Sequence, residues 1–82
     1  MPAMTMTERA EAIRRSQREA WARSARMHEA AARAHQASEG FFRQRGRQGL
    51  AEVHREAADR EWDLAALDHA LADATENLKR SA

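Results

Sequence analysis

The amino-acid sequence predicts an all-α protein: a long antiparallel two-helix hairpin that pairs with a second copy into a four-helix bundle dimer. Three observations support this fold class. Apolar residues recur at steps of three and four in both halves of the chain, which is the spacing of one helix face. The 82 residues contain only three glycines and one proline, so helix breakers are scarce. The first half is basic and the second acidic, so two antiparallel helices would attract each other.

Length and composition limit the chain to one small domain with a thin core. A chain of 82 residues buries only about 60% of its unfolded surface, and scaffolds of this size usually need a disulfide, a metal or a partner chain. Cysteine is absent, so self-association is the expected source of stability. The net charge of +1 points to neither nucleic acid nor a membrane. Because no apolar run could span a bilayer and no secretory signal is evident, we expect a cytoplasmic protein with no membrane partner.

Helix 1 is predicted over about residues 5–44. Its start is marked by Thr5 and Glu8, which have the spacing of a capping box. In that motif the two side chains bind N–H groups of the first turn that lack a partner within the helix.

The end of helix 1 is predicted at Gly46. Gly40 costs about 1 kcal/mol in a helix interior, which is too little to end so long a segment. Phe41 and Phe42 keep the spacing of the preceding apolar residues, so the helix is expected to include them. A glycine in the left-handed conformation then commonly follows a helix end. The alternative is an end at Gly40, followed by a longer, arginine-rich loop.

A turn is predicted over about 45–48 and helix 2 over about 48–79, because neither glycine nor proline occurs after Gly49. Helix 2 carries an apolar stripe, interrupted at Arg60, which we name the leucine stripe: Leu50, Val53, Ala57, Leu64, Leu67, Leu71, Ala74 and Leu78. Helix 1 carries a stripe of mostly small side chains, which we name the small-residue stripe: Ile13, Gln17, Ala20, Ser24, Met27, Ala31, Ala34, Ser38 and Phe41. Because large and small side chains interdigitate well, these two stripes are predicted to form the contact between the helices.

The charges indicate how the two helices align. Residues 5–44 contain eight arginines and five acids, whereas residues 48–79 contain three basic residues and eight acids. A short turn makes the helices antiparallel neighbours, and in the predicted register residue i of helix 1 faces residue ~92 − i of helix 2. The ion pairs expected in this register are Arg15 with Glu76 and Arg18 with Asp73.

Each helix also carries a further stripe beside the predicted contact. Its members, which we name the aromatic–histidine stripe, are Trp21, His28, His35 and Phe42 on helix 1 and Trp62 and His69 on helix 2. A further stripe predicts a further packing surface, so we expect a homodimer or binding to another helical protein. The predicted function is a non-catalytic oligomerisation or protein-interaction module. Its predicted interface residues are Trp21, His28, His35, Phe41, Phe42, Leu50, Val53, Trp62, Leu64, Leu67 and Leu71.

An alternative function is the binding of a metal or small ligand by histidines between the helices. The predicted register brings His35 near His54 and His28 near Glu61, and imidazole and carboxylate groups are ligands of zinc, iron and nickel. However, His28 and His35 lie about 10 Å apart along the helix axis, which is too far to share one ion without help from a partner chain. No cofactor is therefore predicted, and the candidate metal ligands of this alternative are His28, His35, His54 and Glu61.

A third function is contact with nucleic acid at the tip of the hairpin. Arg43, Arg45 and Arg47 lie beside Phe41 and Phe42, and arginines interleaved with aromatic residues can bind phosphates and stack on bases. The cluster is short and no helix-turn-helix or zinc motif accompanies it. Nucleic acid is therefore not the favoured partner.

The sequence predicts no enzyme and no catalytic residue. The serines Ser16, Ser24 and Ser38 lie in the middle of helix 1, where a hydroxyl usually bonds a carbonyl of its own helix. A thin bundle also offers no enclosed pocket for a substrate.

The length and the helix–turn–helix layout resemble the Trp-X-Gly hairpin family of bacterial type VII secretion substrates, which pair as four-helix dimers. That family carries Trp-X-Gly in the turn and a Tyr-x-x-x-Asp/Glu signal after the second helix. In this chain the turn region reads Glu39-Gly40-Phe41-Phe42-Arg43-Gln44-Arg45-Gly46, both tryptophans lie within helices, and tyrosine is absent. The resemblance covers the architecture alone, and it implies a paired hairpin.

Overall fold

The computed structural model describes residues 3–81 and shows a helical hairpin. Helix α1 spans Met6–Gln44 and helix α2 spans Gln48–Ser81, and the two pack against each other in antiparallel orientation. Over the described residues there is no strand. The Cα atoms extend over 65 × 27 × 11 Å, so the hairpin is a single layer of helices. Within residues 3–81, neither helix has a stretch that is long and apolar enough to cross a bilayer.

Helix α1 begins where the capping box predicts. The backbone N–H of Glu8 donates to Thr5 Oγ1 at 3.1 Å, and the Thr5 hydroxyl donates to the Glu8 carboxylate at 3.1 Å. A complete capping box differs in its second bond, because the carboxylate there accepts from the backbone N–H of the cap residue. The Thr5 side chain thus satisfies one N–H of the first turn, and the Thr5 carbonyl accepts the N–H of Arg9.

Helix α1 continues through Gly40 and ends before Gly46, as predicted, so the alternative end at Gly40 is wrong. Gly46 has a φ of 70°, a conformation that costs glycine little because it has no Cβ. The N–H of Arg47 donates to the Phe42 carbonyl at 2.9 Å, and the N–H of Gly46 donates to the Arg43 carbonyl at 3.1 Å. These two bonds form a Schellman motif, which satisfies the last carbonyls of the helix.

The helices meet along a seam in which alanine alternates with polar and aromatic residues. Five alanines, Ala25, Ala32, Ala51, Ala58 and Ala65, are at most 2% exposed, and no larger side chain of the described residues is fully buried. Small side chains allow two helix backbones to approach closely. The seam residues follow steps of three and four: Arg14, Arg18, Trp21, Ala25, His28, Ala32, His35, Glu39 and Phe42 on α1, and Ala51, His54, Ala58, Glu61, Ala65, Asp68, Ala72 and Thr75 on α2.

The register of the seam is close to the predicted one. His35 contacts His54, with 3.0 Å between their Nδ1 atoms, and His28 Nδ1 lies 2.5 Å from a carboxylate oxygen of Glu61. Both contacts are the predicted ones. The predicted pair of Arg18 with Asp73 is wrong by about one helical turn, since the Arg18 guanidinium binds the Glu76 carboxylate instead.

The faces that meet differ from the prediction. The leucine stripe and the small-residue stripe do not form the helix–helix contact, and most of their large apolar side chains are exposed. The aromatic–histidine stripe of α1, predicted to form a further packing surface beside the contact, lies in the seam instead. Successive residues of an α-helix are turned by about 100° around its axis. In the small-residue stripe, and in the leucine stripe as far as Ala74, each residue comes one position before a seam residue. A rotation of each helix by one position therefore separates the predicted contact from the observed one.

Candidate functional site

Most of the exposed large apolar side chains lie on one side of the hairpin, which we name the outer face. The outer face consists of the small-residue stripe of α1 and the leucine stripe of α2. The residues of both stripes come one position before the seam residues of their helix. In two antiparallel helices, the positions that precede the seam residues lie on the same side of the pair. The two stripes therefore form one continuous surface along the hairpin.

The outer face is open and strongly apolar. Met27 is 73% exposed, Val53 is 57% exposed and Leu67 is 54% exposed. Its other exposed large apolar residues are Ile13, Phe41, Leu50, Leu64 and Leu78. Monomeric proteins rarely expose a contiguous apolar surface of this kind, and such surfaces commonly mark interaction sites.

Two shallow depressions lie on the outer face, one on each helix. The depression on α1 is lined by Gln17, Ala20, Trp21 and Ser24. The depression on α2 is lined by Arg60, Asp63, Leu64 and Leu67. Neither is an enclosed cavity, and both have the form of the holes between side chains that receive a residue of a packed helix.

The seam has a charged centre around His28. Its Nδ1 lies 2.5 Å from the Glu61 carboxylate, and its Nε2 lies 3.8 Å from Asp68 Oδ2. Asp68 is only 6% exposed, and its Oδ2 has no hydrogen-bond partner. A carboxylate buried in this way depends on a polar partner nearby, and the structure places the His28 ring beside it.

A cluster of three rings occupies the end of the seam near the turn. The rings of Phe42 and His54 are almost parallel, with centroids 5.5 Å apart, and the rings of His54 and His35 have centroids 5.2 Å apart. The two Nδ1 atoms are close enough for a hydrogen bond in which one imidazole donates and the other accepts. This arrangement requires at least one of the two imidazoles to be neutral.

The side of the hairpin opposite the outer face is polar. His69 Nε2 lies 2.9 Å from the Glu29 carboxylate, which also pairs with Arg33. The Arg33 guanidinium lies over the Trp62 ring, 5.5 Å from its centroid, so the tryptophan is covered by a cation of the other helix. These cross-helix pairs leave little apolar surface on this side.

The four candidate metal ligands form two separate pairs. His35 and His54 contact each other, as do His28 and Glu61, and the two pairs are about 10 Å apart because His28 and His35 are one heptad apart. Among the described residues, no group of three or more histidine, aspartate or glutamate side chains is placed to hold a metal ion.

Two of the three arginines proposed for nucleic-acid contact bind their own helix. Arg43 pairs with Glu39 at 3.0 Å. The guanidinium of Arg45 lies 3.5 Å from the centroid of the Phe41 ring and donates to the Phe41 carbonyl. Arg47 supplies a backbone N–H to the turn. Two of the three guanidinium groups at the tip therefore contact residues of α1.

One carboxylate near the tip has a displaced pKa. Arg55 donates two hydrogen bonds to Glu52, the shorter at 2.7 Å. These hydrogen bonds, assisted by the attraction between the two opposite charges, lower the pKa of the exposed Glu52 and raise that of Arg55.

The predicted interface residues divide between the two surfaces. Trp21, His28, His35 and Phe42 belong to the seam, and Trp62 lies beside it on the polar side. The remaining members, Phe41, Leu50, Val53, Leu64, Leu67 and Leu71, belong to the outer face. The seam alanines and Asp68 were not predicted, although the recurrence of alanine every seven residues in both helices is a signal that indicates them.

Comparison of the chain with protein-family models, with curated proteins and with solved structures finds no match.

Proposed function

We propose that this chain is a non-catalytic interaction module that works as a homodimer, in which two hairpins pack through their outer faces into a four-helix bundle. The observation that carries the proposal is the outer face itself. It holds the leucines of the chain, while the seam of the single hairpin buries little more than alanine. A second copy would turn the exposed leucines into the core that one hairpin lacks.

The surface area of the hairpin supports this proposal. A compact monomer of 9.3 kDa exposes about 5,000 Å², whereas the hairpin exposes 6221 Å². The excess is about a quarter of the compact value, and it exceeds the roughly 800 Å² that each partner buries in a standard interface. The hairpin therefore has enough free surface for a stable dimer.

The apolar character of the outer face fits the centre of such a bundle. Its one basic residue, Arg60, lies at the edge of the depression on α2, and its polar residues on α1 are uncharged serine and glutamine. Few charges would therefore be desolvated when the two faces meet. Burial of unpaired charge is the main cost that opposes association of helices.

The test is a charge placed on the outer face, with a matched charge on the polar side. We expect a dimeric mass for the wild-type chain in light scattering at micromolar concentration. Leu67→Glu should raise the dissociation constant about 100-fold or more, because it buries a carboxylate without a partner.

Ala66→Glu is the control, because Ala66 is exposed in the same turn but lies outside the outer face. It should leave the dimer intact. A monomeric wild-type chain, or equal dissociation of both variants, would contradict the proposal. Circular dichroism of each variant checks that the helices are retained.

A further inference from the structure

We propose that the second copy binds with its turn at the same end, so that α1 of each chain packs on α2 of the other. The inference rests on the proposed homodimer and specifies its geometry. Two hairpins can meet through equivalent faces about a two-fold axis in two ways. With the axis along the hairpin, the turns share one end and α1 lies on α2. With the axis across the hairpin, the turns lie at opposite ends and like helices meet.

The sizes of the side chains favour the arrangement with the turns at one end. On the outer face, most α1 positions are alanine or serine, whereas most α2 positions are leucine, valine or arginine. Packing α1 on α2 places a small stripe against a large one at both helix pairs, which fills the space evenly. Packing like helices would crowd leucine against leucine at one pair and leave gaps between small residues at the other.

The charges favour the same arrangement independently. Residues 5–44 have an excess of arginine, and residues 48–79 have an excess of aspartate and glutamate. Contact of α1 with α2 brings a basic helix beside an acidic one at both helix pairs. Contact of like helices brings Arg23 of two copies toward each other near the middle of the bundle, where both lie at the border of the outer face. Repulsion between like charges at an interface costs more free energy than an exposed ion pair at its rim gains. The repulsion therefore disfavours the alignment of like helices.

The depressions on the outer face give each copy a place for the exposed side chains of the other. In this arrangement the two copies have the same height along the axis. A residue of α1 therefore lies at the level of the same α2 residues in the second copy as in its own hairpin. Met27 of one copy then lies level with the depression lined by Leu64 and Leu67, and Leu71 lies level with the depression lined by Ala20 and Ser24. The arrangement also brings the two tips together at one end, where Arg43 of each copy is paired with Glu39 of its own helix.

Energy transfer between labelled chains tests the orientation. The sequence contains no cysteine, so Gln48→Cys and Ser16→Cys each give a single labelling site, and both positions are exposed. Gln48 begins α2 beside the turn, and Ser16 lies about 40 Å away along the hairpin. Donor-labelled and acceptor-labelled chains are mixed and allowed to exchange partners.

With the turns at one end, the two Gln48 labels of a dimer lie on adjacent helix layers that are about 10 Å apart. A Gln48 label and a Ser16 label on different chains are about 40 Å apart along the axis. The Gln48–Gln48 mixture should therefore transfer at least about twofold more efficiently than the Gln48–Ser16 mixture. The reverse order, or equal transfer, would overturn the orientation while the dimeric mass upheld the proposed function. A monomeric mass in light scattering would overturn both.

Discussion

His28 lies between two carboxylates of α2, and its surroundings differ from those of the other histidines. Glu61 is 2.5 Å from one ring nitrogen, and the buried Asp68 is 3.8 Å from the other. His69, by contrast, binds Glu29 at an exposed position on the polar side. The same type of side chain thus bridges the helices at two depths. A partly buried pair costs more to break than an exposed one, because the remaining polar group has lost part of its water.

Removal of these imidazoles should therefore have unequal effects on stability. We expect His28→Ala to lower the free energy of unfolding by about 1–3 kcal/mol, because it removes the contact partner of both Glu61 and Asp68 in the seam. We expect His69→Ala to cost less than about 1 kcal/mol, as is typical of exposed pairs. Urea denaturation of both variants measures the difference. Equal costs would show that the seam around Asp68 is hydrated and the His28 contacts are weak.

Two glycines show how the helical elements are bounded. Gly40 lies within α1, where a Cβ would meet no atom within 4 Å, so the helix merely tolerates this residue. Gly46 lies at the end of α1 with a φ of 70°, where an L side chain is strained. The first glycine weakens the helix through the entropy of the unfolded chain, and the second permits the turn.

Alanine substitution should therefore have opposite effects at the two glycines. Gly40→Ala should stabilise the protein by about 0.5–1 kcal/mol, because alanine restricts the unfolded chain and clashes with nothing. Gly46→Ala should destabilise it by about 1–2 kcal/mol, the cost of a left-handed conformation with a Cβ. Thermal melts of the two variants at one chain concentration provide the comparison. If Gly40→Ala also destabilised the protein, its position would need to be in contact with a partner chain.

The whole molecule is one layer of helices, only 11 Å thick between Cα atoms and 65 Å long. A single layer encloses few side chains, here five alanines and Asp68 among the described residues, and domains of ordinary stability have at least two layers around a core. In the hairpin, the side chains buried between the helices are mostly alanines, and most of the leucines are exposed to solvent. A partner that covered the outer face would therefore add to the stability of the folded hairpin.

If a second copy covers the outer face, the melting temperature must depend on chain concentration. Association stabilises the folded state by mass action, so a hundredfold rise in concentration should raise the melting temperature by on the order of 5–10 °C. Leu67→Glu should lower the melting temperature and remove this dependence. Differential scanning calorimetry across a concentration series gives both quantities. A melting temperature independent of concentration in the wild-type chain would mean that the hairpin is stable alone.

The sequence predicts the two helices, the turn at Gly46 and the contacts of His28 and His35, because periodicity, glycine and charge act locally or through a short turn. It does not predict which stripe faces the other helix. Two neighbouring stripes compete for one contact, and the more hydrophobic stripe was the expected choice. The structure instead places alanine between the helices, where backbones come close and the histidines find carboxylate or imidazole partners across the seam. Which face of each helix forms the seam depends on several cross-helix residue pairs together. The hydropathy pattern of one helix does not reveal these pairs.

The alanine seam also constrains how this chain can change. Five methyl groups, spaced at heptad intervals on two helices, together set one distance between two rigid rods. A larger side chain at one of these alanines would increase the distance between the helices over the neighbouring turns. The ring contacts of His54 and the carboxylate contacts of His28 would then be weakened, although they are several residues away. Divergence at these positions must therefore be concerted on both helices, whereas the leucines of the lone hairpin can be exchanged individually without altering that distance.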